Sequence, residues 1–263
     1  SHDGFEKWLL DVVAIASVAD MVPLVGESRT LTKYGLLVLN KTRRIGLKKM
    51  FIEAGLLEPD GGKKKDITAR TIGFMIAPRI NAAGRLAHAN VAYKLLISER
   101  PDKAVELAWE LDKNNKERRE LTQTCVDRAI IQVEKDQTNN PVLFVFDHEW
   151  RTGIVGLIAS RIKEKYQKPT IAMAMNDGTL TGSGRSITGF DMIGSLQEIP
   201  EYFIKFGGHP MACGFSLISP EQKENFQKAL IEQYNIKTKG IDMTPSVDID
   251  AEVALEDINW ELY

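Results

Sequence analysis

Between Pro101 and about Asp136 runs a stretch of good helix formers opened by a proline, with its apolar residues gathered at the two ends. Val105, Ala108 and Trp109 come early; Leu121, Cys125, Ala129, Ile130 and Val133 come late. The middle, D-K-N-N-K-E-R-R-E, offers almost no apolar face. A long helix of that kind suits a bridge between two packed bodies. The spacing therefore predicts one region before residue 101 and another after 136, with Gln137 to Asn140 leading into the second. A chain of 263 residues is long enough for such a pair.

The first region reads as helical. Phe5 to Val18 carries a dense apolar pattern, ended by Pro23, with Asp20 just after it in V-A-D-M-V-P-L. A carboxylate there either needs a cation or hydrogen bonds to offset its burial, or it is a turn-capping group at the surface. Thr30 or Thr32 can cap a helix with Leu36, Leu37 and Leu39 inward, and a second helix, Ile45 to Ala54, stops at Gly55. The lysine-rich run Glu58 to Lys65 is a solvated turn. In A-P-R-I-N-A-A-G-R-L, Ala77 to Leu86, two readings stand. Arg79, Asn81 and Arg85 sit among small residues that let guanidinium forks reach a phosphate, or the segment is a loop whose Asn caps a helix while its arginines pair with acids.

The second region alternates strands and helices. P-V-L-F-V-F is a strand ending at Asp147-His148; a helix, Ile154 to Tyr166, follows; T-I-A-M-A-M and T-L-T-G-S-G-R-S are strands joined by Asn176-Asp177-Gly178. Then come a helix, an F-G-G-H-P turn, a strand Cys213 to Ile218, and a helix opened by Ser219-Pro220-Glu221. That order argues for an α/β domain with a mixed sheet. Val247 to Tyr263 reads as a further strand and short helix.

Composition narrows the function classes. No apolar run approaches the ~20 residues that span a bilayer, and no signal-like segment opens the chain. Cys125 and Cys213 lack zinc spacing and read as reduced, buried thiols of an intracellular protein. A net charge of −2 confines any nucleic-acid contact to a local patch.

Two glycine-interrupted segments stand out as an anion pocket, one carrying Arg185 and Ser186, the other Gly207, Gly208 and His209. Gly182-Ser183-Gly184 does not continue as G-x-G-x-x-G, which disfavours a dinucleotide fingerprint. Arg185 is either an anion clamp or a surface arginine at a bulge. His209 is a general acid or base, an anion donor, or a turn histidine bonded to backbone. A lone histidine is poor evidence for a metal.

Five segments in order cover nearly the whole chain: I-A-S-V-A-D-M-V-P-L (Ile15 to Leu24), A-P-R-I-N-A-A-G-R-L, W-R-T-G-I-V-G-L-I-A-S-R-I (Trp150 to Ile162), G-S-G-R-S-I-T-G-F-D-M (Gly182 to Met192) and F-G-G-H-P-M-A-C-G (Phe206 to Gly214). Together they resemble the RecJ family of single-strand-specific exonucleases in the DHH phosphoesterase superfamily. The resemblance implies an α/β chain in four parts. Residues 1–100 would be the helical C-terminal part of a DHH domain, 101–136 a connecting helix, 137–240 a mixed-sheet DHH-associated substrate-binding domain, and 241–263 the start of an oligonucleotide-binding barrel.

It also implies a cytoplasmic 5′→3′ exonuclease that hydrolyses single-stranded DNA with Mn2+ or Mg2+ in a cleft between the two domains. Its partners would be single-stranded DNA and a single-strand-binding protein or repair helicase, with no membrane. Asp20 matches the family's last metal-ligand aspartate. Arg185, Ser186, Gly207, Gly208 and His209 match its substrate-binding turns, and Arg79 and Arg85 a segment on the catalytic side. The aspartate-rich motif, the second metal aspartate and the Asp-His-His signature would lie upstream of Asp20, and Asp147-His148 is not that signature because its second histidine is missing. The expectation is a fragment, inactive alone, that retains the substrate-binding half. Two alternatives are a DHH-type phosphoesterase acting on small oligonucleotides or a nucleotide signal, and a non-catalytic nucleic-acid-binding relative.

Overall fold

The computed structural model describes residues 4–86, 89–244, 247, 249 and 251–260. The chain divides into two compact units, Ser1–Ile131 with Glu149–Ile158, and Gln132–His148 with Ala159–Tyr263.

The first unit is helical. A 3-10 turn, Phe5–Leu9, leads into α1 (Leu10–Ala19), then α2 (Gly26–Leu39) and α3 (Ile45–Glu53). A short α4 (Ala69–Thr71) runs through a π turn, Ile72–Ile76, into α5 (Ala77–Leu86), and α6 (Asn90–Leu96) follows. The unit also takes most of α7 (Pro101–Asp136). Its core gathers Ala14, Leu39, Leu47, Met50, Phe51, Ile72, Ile76, Leu95 and Leu111. Close crossings account for two glycines. A Cβ on Gly35 of α2 would strike the Leu10 carbonyl and Ala14 of α1, and one on Gly46 of α3 would strike the Leu95 carbonyl. The buried Asp11 carboxylate is matched by the Thr42 hydroxyl (2.8 Å) and the Arg44 guanidinium (3.0 Å), which offset its desolvation.

Two local expectations differ from what forms. The second helix begins at Gly26, with Val25 at its N-cap and no side-chain cap. Thr30 lies inside it and donates to the Gly26 carbonyl (3.3 Å), while Thr32 is buried. Ala77 to Leu86 is a helix and not a loop: its alanines favour the helix, and Pro78 follows directly on the π turn Ile72–Ile76, where the regular α-helical hydrogen-bond ladder is already interrupted.

The second unit is a five-stranded mixed sheet flanked by helices. Its strands are β1 (Leu143–Asp147), β2 (Thr170–Asn176), β3 (Thr179–Arg185), β4 (Phe203–His209) and β5 (Ala212–Leu217), in the order β1-β2-β3-β5-β4. Only β1 and β2 are parallel, joined through α8 (Thr152–Tyr166); the other neighbours are antiparallel. Asp177 and Gly178, both at positive φ, make the two-residue turn between β2 and β3. Two further helices, α9 (Met192–Gln197) and α10 (Lys223–Lys237), complete the unit. Its core is aromatic: Phe203 meets Phe215 and Phe226 edge to face with centroids 5.4 Å apart, and the Phe215 and Phe226 rings pack tilted at 5.1 Å.

Here the F-G-G-H-P segment departs from expectation. Phe206 to His209 completes the edge strand β4, and the turn is only Pro210-Met211, because Gly207, Gly208 and His209 pair with Gly214, Cys213 and Ala212. In the tail, Asp248, Asp250 and Glu261 to Tyr263 lie outside the described residues. The described residues there form no strand, only a 3-10 turn, Leu255–Asp257; a strand needs a partner ladder that they do not meet.

Candidate functional site

On the first unit, Asp20 sits at the C-cap of α1 and is exposed. Its backbone N–H donates to the Ala16 carbonyl (2.9 Å), and among the described residues no side chain pairs with its carboxylate. It is therefore a surface group. Among the described residues no cluster of three or more His, Cys, Asp or Glu could hold a metal ion. Asp20 fits a divalent cation as one hard oxygen ligand, and one ligand is too few for Mg2+ or Mn2+. The residues described here do not make a metal site, so no hydrolytic step follows from them.

Arg79 realises the acid-pairing reading. Its Nε and Nη2 each lie 2.9 Å from the same Asp112 oxygen, and Nη1 donates to the Met75 carbonyl at 2.6 Å. Lys116 holds the other Asp112 oxygen at 2.7 Å. Arg85 is half-buried and donates to the Gly153 carbonyl (3.2 Å), and burial lowers its pKa. A Cβ on Gly153 would strike the Arg85 carbonyl, so α8 begins hard against the end of α5. Both arginines thus have protein partners.

The second unit brings the other candidates onto one sheet. Arg185 and His209 each pair in register with Ala212, from opposite sides, so all three side chains leave the same face. Alternation puts Ser183, Gly214 and Gly207 on that face one row further along. The other face carries Gly182, Gly184, Cys213 and Phe215 into the core.

That division sorts the glycines. A Cβ on Gly182 would enter the Phe215 ring, and one on Gly184 would press on the Cys213 sulfur at 2.6 Å, so both serve packing and not anion approach. Gly208 has a φ of 149°, and a Cβ there would strike the Ala212 carbonyl. Gly207 faces open space.

Arg185 is half-buried, with Nη1 donating to the Ser183 hydroxyl (2.8 Å) and the Gly184 carbonyl (2.7 Å). His209 is exposed. Ser186 is buried, and its hydroxyl donates to the Phe190 carbonyl at 2.6 Å, pinning the loop after β3. Burial pushes the Cys213 thiol up to about 11. Sequence reasoning missed Lys205, Ser183 and Gly214. The signal was the alternation Lys205, Gly207, His209 in F-I-K-F-G-G-H, hidden by reading two glycines before His-Pro as a turn.

Residues 139–235 match the DHHA1 domain family. The single-stranded-DNA-specific exonuclease RecJ of Bacillus subtilis is 36% identical over 255 residues, 96% of this chain and 32% of that protein. The chain is a homologue of RecJ. RecJ of Salmonella typhimurium is 41% identical over 230 residues, 84% of this chain and 39% of that protein. The crystal structure of Thermus thermophilus RecJ in complex with Mg2+ superposes with a TM-score of 0.75 at 28% identity, covering 86% of this chain and 34% of that one. A helical region, a long helix and a five-stranded mixed sheet are thus an architecture shared with RecJ. The chain spans about a third of the length of the curated RecJ proteins it matches. No helix among the described residues is long and apolar enough to cross a membrane.

Proposed function

We propose that this chain is the substrate-holding part of a cytoplasmic, metal-dependent exonuclease that degrades single-stranded DNA from the 5′ end. The observation that carries the reading is the row on the second unit: a guanidinium, Arg185, and an imidazole, His209, set on one open sheet face on either side of Ala212. Two strand spacings separate their positions by about 10 Å, a span that suits the phosphates of an extended strand. Arg185, held by Ser183 and Gly184, brings a guanidinium to that face, the group that matches phosphate oxygens. His209 donates a hydrogen bond to a neighbouring phosphate. The relatives are single-stranded-DNA-specific exonucleases by name, which supports the substrate class. Asp20 contributes one carboxylate ligand to a Mn2+ or Mg2+ site whose other ligands this chain does not supply among its described residues. Arg79 and Arg85 shape the first unit through Asp112 and Gly153. Ser186 sets the loop beside Arg185.

The test is binding and turnover by the chain as it stands. Fluorescence anisotropy with 5′-phosphorylated single-stranded DNA should show binding that Arg185→Ala and His209→Ala each weaken with little change in melting temperature. Incubation with Mn2+ should give no cleavage. Equal affinity for duplex DNA, or variants that lose stability in step with binding, would overturn the reading.

A further inference from the structure

The lysine-rich run Glu58 to Lys65, which as sequence is a solvated turn, folds back as one wall of a cavity on the first unit. Leu57 and Lys63 pair as an antiparallel bridge, the Glu58 N–H accepts no side chain but donates to the Gly62 carbonyl (2.7 Å), and Gly61 takes the positive φ of 91° that the bend requires. Beyond the run the chain is fixed to the end of α2: Asn40 donates to the Ile67 carbonyl (2.8 Å) and accepts from the Ile67 N–H (3.0 Å). Between this hairpin, the end of α2 and α3 lies a cavity of about 250 Å³.

Its lining divides by chemistry. Leu39, Phe51, Leu57 and Ile67 give it an apolar floor, and Lys41, Lys48, Lys63 and Lys65 stand exposed around it. Among the described residues no carboxylate lines the cavity. Lys63 is paired with Asp66, which lies outside the lining, and Lys41, Lys48 and Lys65 have no ion pair among the described residues. The other polar side chains there are already committed, Asn40 to Ile67 and the Leu36 carbonyl, and the Thr42 hydroxyl to the Asp11 carboxylate (2.8 Å). Four ammonium groups around one cavity repel one another, and an anion seated among them relieves that repulsion.

We propose that this cavity is a binding site for a nucleoside monophosphate, with the phosphate among the lysine ammonium groups and the base against the apolar floor. Size and lining select that class. A bare phosphate leaves the floor uncovered, an uncharged nucleoside leaves the lysines unneutralised, and a nucleic-acid strand asks for a groove that tracks its backbone. Compact ammonium groups on flexible stems suit a phosphate dianion approached from several sides. The site belongs wholly to the first unit, whereas Arg185 and His209 belong to the second, so it does not rest on the single-strand binding proposed for them.

The experiment is calorimetric titration of the whole 263-residue chain at low salt, with deoxyadenosine monophosphate, inorganic phosphate and deoxyadenosine as separate probes. The nucleotide should bind with a dissociation constant of about 1 mM or tighter, and the other two at least about tenfold more weakly. Lys48→Glu and Lys65→Glu should each weaken nucleotide binding by about tenfold or more while the melting temperature holds or rises, because each removes a like charge from the cluster. Arg185→Ala should leave this affinity unchanged. A wild-type chain that does not bind the nucleotide, or wild-type affinity in both lysine variants, overturns the proposal. Loss of nucleotide binding in Arg185→Ala with both lysine variants unaffected overturns it as well and leaves the proposed function standing. Inorganic phosphate binding as tightly as the nucleotide overturns the role of the floor and with it the ligand class.

Discussion

Arg79 lies between the Asp112 carboxylate and the Met75 carbonyl, whereas Asp20 keeps its carboxylate in solvent, and the two substitutions should separate cleanly. Arg79→Ala leaves Asp112, whose side chain is 4% exposed, with only the outlying Lys116. It should cost about 3 kcal/mol in urea unfolding, the usual penalty for breaking a buried pair. Asp20→Ala should leave the urea midpoint unchanged. Cys213 gives a pH test. With its folded pKa at about 11 against a reference of 9.0, the thiol stays protonated in the native state while the unfolded chain ionises. Its contribution is fully present below pH 9 and is lost as pH rises to about 11, a fall of about 3 kcal/mol. Subtracting the alkaline stability curve of Cys213→Ala from that of the wild type should show that fall. Equal slopes would mean that the thiol is not held in an apolar site.

At the level of elements, the outer edge of β1 is closed by side chains. Gln137 exchanges two hydrogen bonds with the Phe144 backbone (2.8 and 2.9 Å), and Gln132 does the same with Phe146 (2.9 and 3.0 Å). Two amides, Gln132 in the last turns of α7 and Gln137 just past its end, thus stand in for a sixth strand, satisfying groups that would otherwise be open to pairing with another chain. Replacing both by leucine should lower stability by about 1–3 kcal/mol per glutamine, from the polar groups left without partners, and produce self-association visible by light scattering. A stable monomeric double variant would show that the edge needs no cover. Nothing in the sequence marks these glutamines, because their partners are backbone groups of another element. The elements themselves were more legible. The Asp-Gly turn between β2 and β3, the proline opening α7 and the Ser219-Pro220 start before α10 are local chemistry, and each forms where it was read. F-G-G-H and A-P-R-I-N-A-A-G-R-L were misread because glycine and proline signals were given more weight than cross-strand pairing and helix propensity.

For the whole molecule, a formal charge of −2 means that the attraction to DNA proposed for this chain is confined to the local face bearing Arg185 and His209. Binding should therefore weaken with salt but be indifferent to chelators. EDTA should change neither the melting temperature nor the affinity of this chain for single-stranded DNA, and a shift in either would mean that metal ligands assemble after all. The sequence by itself determined the α/β order of elements, the long helix, and the residue types of the candidate site. Helix periodicity, turn chemistry and ordered motifs are properties of neighbouring residues. Only the tertiary structure decided which glycines pack, and that Ser186 and Arg79 have protein partners. Those outcomes depend on which strand pairs with which, in what register, and on what approaches each backbone from elsewhere in the chain.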